Sequence, residues 1–128
     1  MKYLLDTHAV LWIAEDSPRL SPRIRALAKN HDADTFGLAA ITLLEIARLA
    51  KVGEITLSPE PADWLEDITH RFQVLPLTPA IVWTAVNLGW PHKDPADRLI
   101  CATAIEHKLT LISNDREIIR WGRVPVLW

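Results

Sequence analysis

The stretch HKDPADRLICATA, residues 92–104, decides how this chain is read. Asp94 followed by Pro95 has the form of a helix N-cap with proline at the first helical position, and the small and apolar residues behind them read as a buried helix. Asp97 then falls at the third helical position, where the helix dipole favours a carboxylate and the side chain leans back toward the N-terminus. Two acids at the mouth of a buried helix need a reason, and the segments on either side supply one.

Outward from this helix, short apolar runs alternate with helical periodicity. KYLLD (2–6), TFGLAA (35–40), FQVLPL (72–77), TLISND (110–115) and VPVLW (124–128) read as strands. THAVLWIAE (7–15), SPRIRALAKN (21–30), PADWLEDITHR (61–71), a segment opened by Thr78-Pro79 and running to about Leu88, and REIIRWG (116–122) read as helices. In TLLEIARLAKVG (42–53), Thr42 is the expected cap and Gly53 the stop. Strands too apolar to face water, separated by helices, imply an α/β fold whose parallel sheet is covered on both faces. Nothing divides residues 1–128, so one domain is expected.

Composition narrows the function. The chain is 49% hydrophobic and 23% charged with a net charge of −2, so no global positive field marks it for nucleic acid. The single cysteine, Cys101, excludes an internal disulfide framework and suits a reducing compartment. The opening YLL is cut short by Asp6, which leaves no signal-peptide core, and no apolar run approaches the roughly 20 residues that span a bilayer. A soluble, cytoplasmic protein with no membrane partner is expected.

In parallel α/β sheets the ligand site lies beyond the carboxyl ends of the strands. The polar residues expected there are all acidic: Asp6, Glu45, Asp94, Asp97 and Asp115. Singly, each has a structural explanation as a turn residue, a cap or, for Glu45 three residues after Thr42, a capping box. Together they do not, because serine, threonine and asparagine cap as well as aspartate. Two carboxylates about 4 Å apart repel by roughly 4 kcal/mol at an effective dielectric of about 20, so such a cluster needs protons or a cation. All-oxygen ligation suits Mg²⁺ or Mn²⁺. The five histidines form no HExxH pair and one cysteine builds no thiolate site, which disfavours zinc. A GxSxG elbow and a glycine-rich phosphate loop are both missing, and LLDTH lacks the second aspartate of an aspartyl-phosphate enzyme. Metal-assisted phosphodiester hydrolysis remains.

LLDTHAVLW, LLEIA, HKDPADRLICATA and TLISND carry Asp6, Glu45, Asp97 and Asp115 in an order that resembles the PIN-domain nucleases, most closely the VapC-like toxins of bacterial toxin–antitoxin pairs. The likeness spans nearly the whole chain. It implies a three-layer αβα sandwich around a parallel sheet, Mg²⁺- or Mn²⁺-dependent endoribonuclease activity, inhibition by a small antitoxin, and a homodimer. Asp6, Glu45, Asp97 and Asp115 match the family's catalytic acids, with Asp6, Asp97 and Asp115 as metal ligands and Ser113 and Asp94 in support. Arg48, Lys93, Arg98 and Arg116, with Lys51 and His92 nearby, are the candidates for RNA contact; their alternative is a solvated face, with Arg48 paired to Glu45. A noncatalytic PIN-like binding module and a PIN nuclease of RNA maturation or DNA repair are the competing readings. Among the six tryptophans, Trp12 and Trp83 are expected in the core and Trp64 and Trp90 at a partner surface.

Overall fold

Every apolar run named above becomes a strand. The structure, a computed structural model, describes residues 1–30 and 35–128. Its elements are β1 (Tyr3–Leu5), α1 (Thr7–Glu15), α2 (Pro22–Asn30), β2 (Phe36–Ala39), α3 (Ala40–Lys51), α4 (Pro61–Arg71), β3 (Gln73–Leu75), α5 (Pro79–Val86), α6 (Pro95–His107), β4 (Thr110–Ile112), α7 (Arg116–Trp121) and β5 (Val126–Leu127). The strands form one sheet in the order β3-β2-β1-β4-β5, and every pairing is parallel.

The strands are apolar because both faces of the sheet are covered. Successive side chains point to opposite faces. Leu5, Leu38 and Ile112 join one buried cluster with Ile24 and Ile46, while Leu4 and Leu111 join another with Ile100 and Cys101. Leu4, Leu5, Leu38, Leu111 and Ile112 have no exposed surface, and each such side chain contributes about 1.5–3 kcal/mol by leaving water. This is the three-layer αβα sandwich that the alternation implies.

Three local expectations need correction. The helix α3 begins at Ala40 with Ala39 as an N-cap that lacks a side-chain bond, because β2 runs straight into it. Thr42 is therefore no cap: it is wholly buried and its Oγ1 has no partner among the described residues. Glu45 accordingly sits in the second turn, outside any capping box. Trp83 is 70% exposed, whereas Trp90 is buried against Trp121 at a ring separation of 4.6 Å, the reverse of their expected placements.

Candidate active site

The chain lays β2 and β3 on one side of β1, then crosses to lay β4 and β5 on the other. The connections leaving β1 and β4 thus diverge, and the gap between them opens a crevice at the carboxyl edge of the sheet. Asp6 follows β1 directly, and Ser113 and Asp115 follow β4. A pocket of about 140 Å³ here is lined by Asp6, Glu45, Asp94, Asp97 and Asp115, with Thr7, His8, Ala96 and Ile100 completing its wall. All five acids singled out in the sequence converge on it. Larger hollows elsewhere on the described surface bring together apolar or mixed side chains.

Three of the acids are helix caps. Asp6 Oδ1 accepts from the Ala9 amide at 2.9 Å and opens α1. Asp94 Oδ1 accepts from the Ala96 amide at 3.0 Å and opens α6. Asp115 Oδ1 accepts from the amides of Glu117 and Ile118 at 2.9 and 3.1 Å and opens α7. Each cap uses one oxygen for the backbone, so the positive ends of three helices and three aspartates meet at the same place. Ser113 Oγ accepts from the Asp115 amide at 3.0 Å, and its side chain also bonds Asp6, tying the first strand's acid to the fourth's.

The other two acids are held by side chains. Glu45 is 20% exposed and pairs with Arg48 at 3.3 Å. Asp97, at the third position of α6, meets His92 Nε2 at 2.7 Å through Oδ2. Ligand atoms of His92, Asp94 and Asp97 lie within 4.8 Å of one another, a closeness that the expected trio Asp6, Asp97 and Asp115 does not reach. Repulsion accounts for the spread, since each of the trio is drawn to a cap or a neighbour instead.

Charge in the crevice is undercompensated. Burial pushes the Asp6 carboxyl above the usual carboxylate range despite the bonds from Ser113 and Ala9 that ease its charge. Burial likewise raises Asp97 to about 6, with Asp94 and Asp115 adding to the shift and the bond to His92 opposing it. The thiol of Cys101, on the inner face of α6, is pushed up to about 12 by burial and then by the field of Asp97, Asp115 and Asp6. Such a site takes up protons or a cation. Its all-oxygen carboxylate donors fit a hard divalent ion, and nothing in the lining offers thiolate ligands.

The basic residues divide. Lys93 and Arg116 are exposed at the rims of α6 and α7, and Lys51 is exposed at the end of α3. Arg48 is exposed but engaged with Glu45. Arg98 is a correction: its guanidinium donates to the carbonyls of Ala85, Trp90 and His92 at 3.0, 2.6 and 2.9 Å. It clamps the loop between α5 and α6 and is not a free phosphate contact, because a buried run of unpaired carbonyls would otherwise cost more than a solvated arginine gains. Sequence reasoning missed the pairing of His92 with Asp97, since no spacing rule links a loop residue to a helical acid five positions on.

A model of the PIN domain family matches residues 3–124. Ribonuclease VapC22 of Mycobacterium tuberculosis is 38% identical over 117 residues, covering 90% of this chain and 88% of that protein. Among solved structures, DNA-bound VapBC from Salmonella typhimurium superposes with a TM-score of 0.74 at 22% identity, over 99% of this chain and 97% of that one. A toxin–antitoxin complex from Klebsiella pneumoniae gives a TM-score of 0.72, also at 22% identity and with the same coverage of both chains. These two likenesses are of fold.

Proposed function

This chain belongs to the PIN-domain family, and from that premise we propose that it is a single-domain, divalent-metal-dependent endoribonuclease acting as the toxin of a toxin–antitoxin pair. The observation that carries the reading is the convergence of Asp6, Glu45, Asp94, Asp97 and Asp115 on one crevice at the point where the sheet's connections diverge. A cluster kept only for stability would not hold Asp6 buried and short of counter-charge.

Asp6, Asp97 and Asp115 would hold Mg²⁺ or Mn²⁺, with Asp94 beside them. When bound, such an ion acidifies a water and shields the charge that builds on a phosphate under in-line attack. Ser113 keeps Asp6 and Asp115 in register through its hydroxyl. Glu45 lies across the crevice and caps no helix, so it is free to accept the proton of the attacking water, with Arg48 steadying its carboxylate. Three helix N-termini aim backbone amides at the crevice, and these favour a phosphate approaching it. Lys93 and Arg116 flank the opening and would position the RNA backbone without reading its sequence.

An acidic crevice is complementary to a cationic peptide, so the antitoxin partner is expected to reach into it with basic side chains. A second copy is the partner expected at α5. This helix, PAIVWTAV, carries no charge, and Val82, Trp83 and Val86 are 43, 70 and 63% exposed. Trp83 projects from the same helix that, with Leu77 and Leu99, borders a hollow of about 330 Å³. A protruding aromatic and a receiving hollow on one face are what an isologous pairing requires. No helix among the described residues is long and apolar enough to cross a membrane, which fits action on cytoplasmic RNA.

The test is cleavage of RNA by purified, antitoxin-free protein in Mg²⁺, in Mn²⁺ and in chelator, comparing wild type with Asp6→Asn. Metal-dependent cleavage that the substitution removes supports the reading. Equal cleavage in chelator, or by the folded variant, overturns it.

A further inference from the structure

His92 lies outside the set of acids and no part of the proposed reaction requires it, yet it is the residue most elaborately held at the crevice. Its ring stacks on Trp90 at 4.6 Å and an interplanar angle of 32°, and Trp90 in turn stacks on Trp121 of α7 at 4.6 Å and 14°. Trp90 is 7% exposed. The backbone on both sides is fixed as well, because Arg98 Nη1 donates to the carbonyls of Trp90 and His92. What this mount delivers is one contact, His92 Nε2 to Asp97 Oδ2 at 2.7 Å. An ionised carboxylate only accepts, so Nε2 carries the proton and donates it.

We propose that His92 is a positioning residue: its Nε2–H bond to Oδ2 fixes the rotation of the Asp97 carboxylate, so that Oδ1 is presented to the divalent ion. The inference rests on the reading of Asp97 as a metal ligand. A free carboxylate at the third position of a helix rotates about its last bond, and a ligand set spread among several elements gains affinity when each member is already turned the right way. Outer hydrogen-bond partners of metal ligands typically carry a 10–100-fold share of metal affinity, and His92 is the side chain that bonds Asp97. The same distances admit a rival role, since His92, Asp94 and Asp97 stand close enough to ligate one ion together.

Two substitutions separate holding the fold from holding the carboxylate. His92→Phe keeps a ring for Trp90 but has no donor; His92→Gln keeps an amide donor near the Nε2 position but loses the ring. Mn²⁺ affinity, measured by calorimetry on the full chain, should fall at least about 10-fold in His92→Phe and recover most of that loss in His92→Gln. Melting temperature in chelator should rank the other way, with His92→Phe at or above His92→Gln. Affinity that follows melting temperature, with His92→Phe the tighter binder, overturns the inference in favour of a merely structural ring. An imidazole ¹⁴N coupling in the pulsed electron paramagnetic resonance spectrum of the Mn²⁺-loaded wild type overturns it in favour of direct ligation. Asp97→Asn serves as the reference: unchanged Mn²⁺ affinity there overturns the metal-site reading itself, whereas a loss there with none in His92→Phe overturns the role of His92 alone.

Discussion

Replacing Asp97 by asparagine should make the metal-free protein more stable. In the fold the Asp97 carboxyl titrates at about 6 against 3.8 for the free side chain, with burial as the first cause. Two units at about 1.36 kcal/mol each set a ceiling of roughly 3 kcal/mol on what ionising it costs the fold. The side chain is still 22% exposed, so water screens part of that. Asparagine keeps an oxygen for His92 but brings an amide that the crevice must satisfy. The expected net gain at pH 7.5 in chelator is about 1–2 kcal/mol, or roughly 3–8 °C in melting temperature. Because the folded pKa lies above the unfolded one, the wild type keeps the benefit of a neutral carboxyl in full below about pH 4 and loses it as pH rises through about 6. The variant has nothing to lose, so its advantage should be small at pH 4.5, grow to about pH 6.5 and then level off. Urea unfolding followed by tryptophan fluorescence reads this directly. In saturating Mn²⁺ the order should invert, since an ion at 100 times its Kd adds about 2.7 kcal/mol to the wild type alone. A variant no more stable than wild type at pH 7.5, or an advantage that ignores pH, refutes the idea that an ionised Asp97 strains the empty crevice.

Arg98→Met should cost about 2–4 kcal/mol by freeing the carbonyls of Ala85, Trp90 and His92, and an unchanged urea midpoint would show that water replaces the clamp without penalty. Asp94→Asn should hold stability within about 0.5 kcal/mol and keep most cleavage, while Asp94→Ala loses about 1 kcal/mol with the cap; an Asp94→Asn protein as inactive as Asp97→Asn would make Asp94 a ligand. Trp83→Glu should elute as a monomer at concentrations where wild type is a dimer, with the melting temperature of the monomer little changed because Trp83 is mostly exposed. Dimers that survive the substitution would remove α5 from the interface.

The strands were legible because a buried parallel sheet leaves continuous apolar runs, and THAVLWIAE and PADWLEDITHR coincide with α1 and α4. The acids were legible because the ends of parallel strands are where a crevice forms, whatever the sequence between them. The misplacements have different causes. Thr42 looked like a cap because threonine often is one, but the passage from β2 into α3 is fixed by strand pairing, not by local preference. Trp83 looked like core because a tryptophan in an apolar helix usually is, and only the packing of α5 against α6 shows which face is left over. Arg98 looked like an RNA contact because its partners are main-chain carbonyls, which have no signature in the side-chain sequence.

The two aspartates of HKDPADRLICATA can now be told apart from their companions. A helix N-cap needs one oxygen, and any of serine, threonine, asparagine or aspartate supplies it. At Asp6, Asp94 and Asp115 the fold uses the one candidate that has a second, charged oxygen left over. Capping therefore fixes the backbone end of each carboxylate against a rigid helix while its other oxygen is turned to the crevice, and the three helix dipoles offset part of the charge so assembled. Asp97 is the exception, because it caps nothing and must be steadied by a side chain, His92. The consequence is a difference in kind among the aspartates: asparagine at a cap position preserves the fold and removes only charge, whereas asparagine at Asp97 also changes what His92 holds.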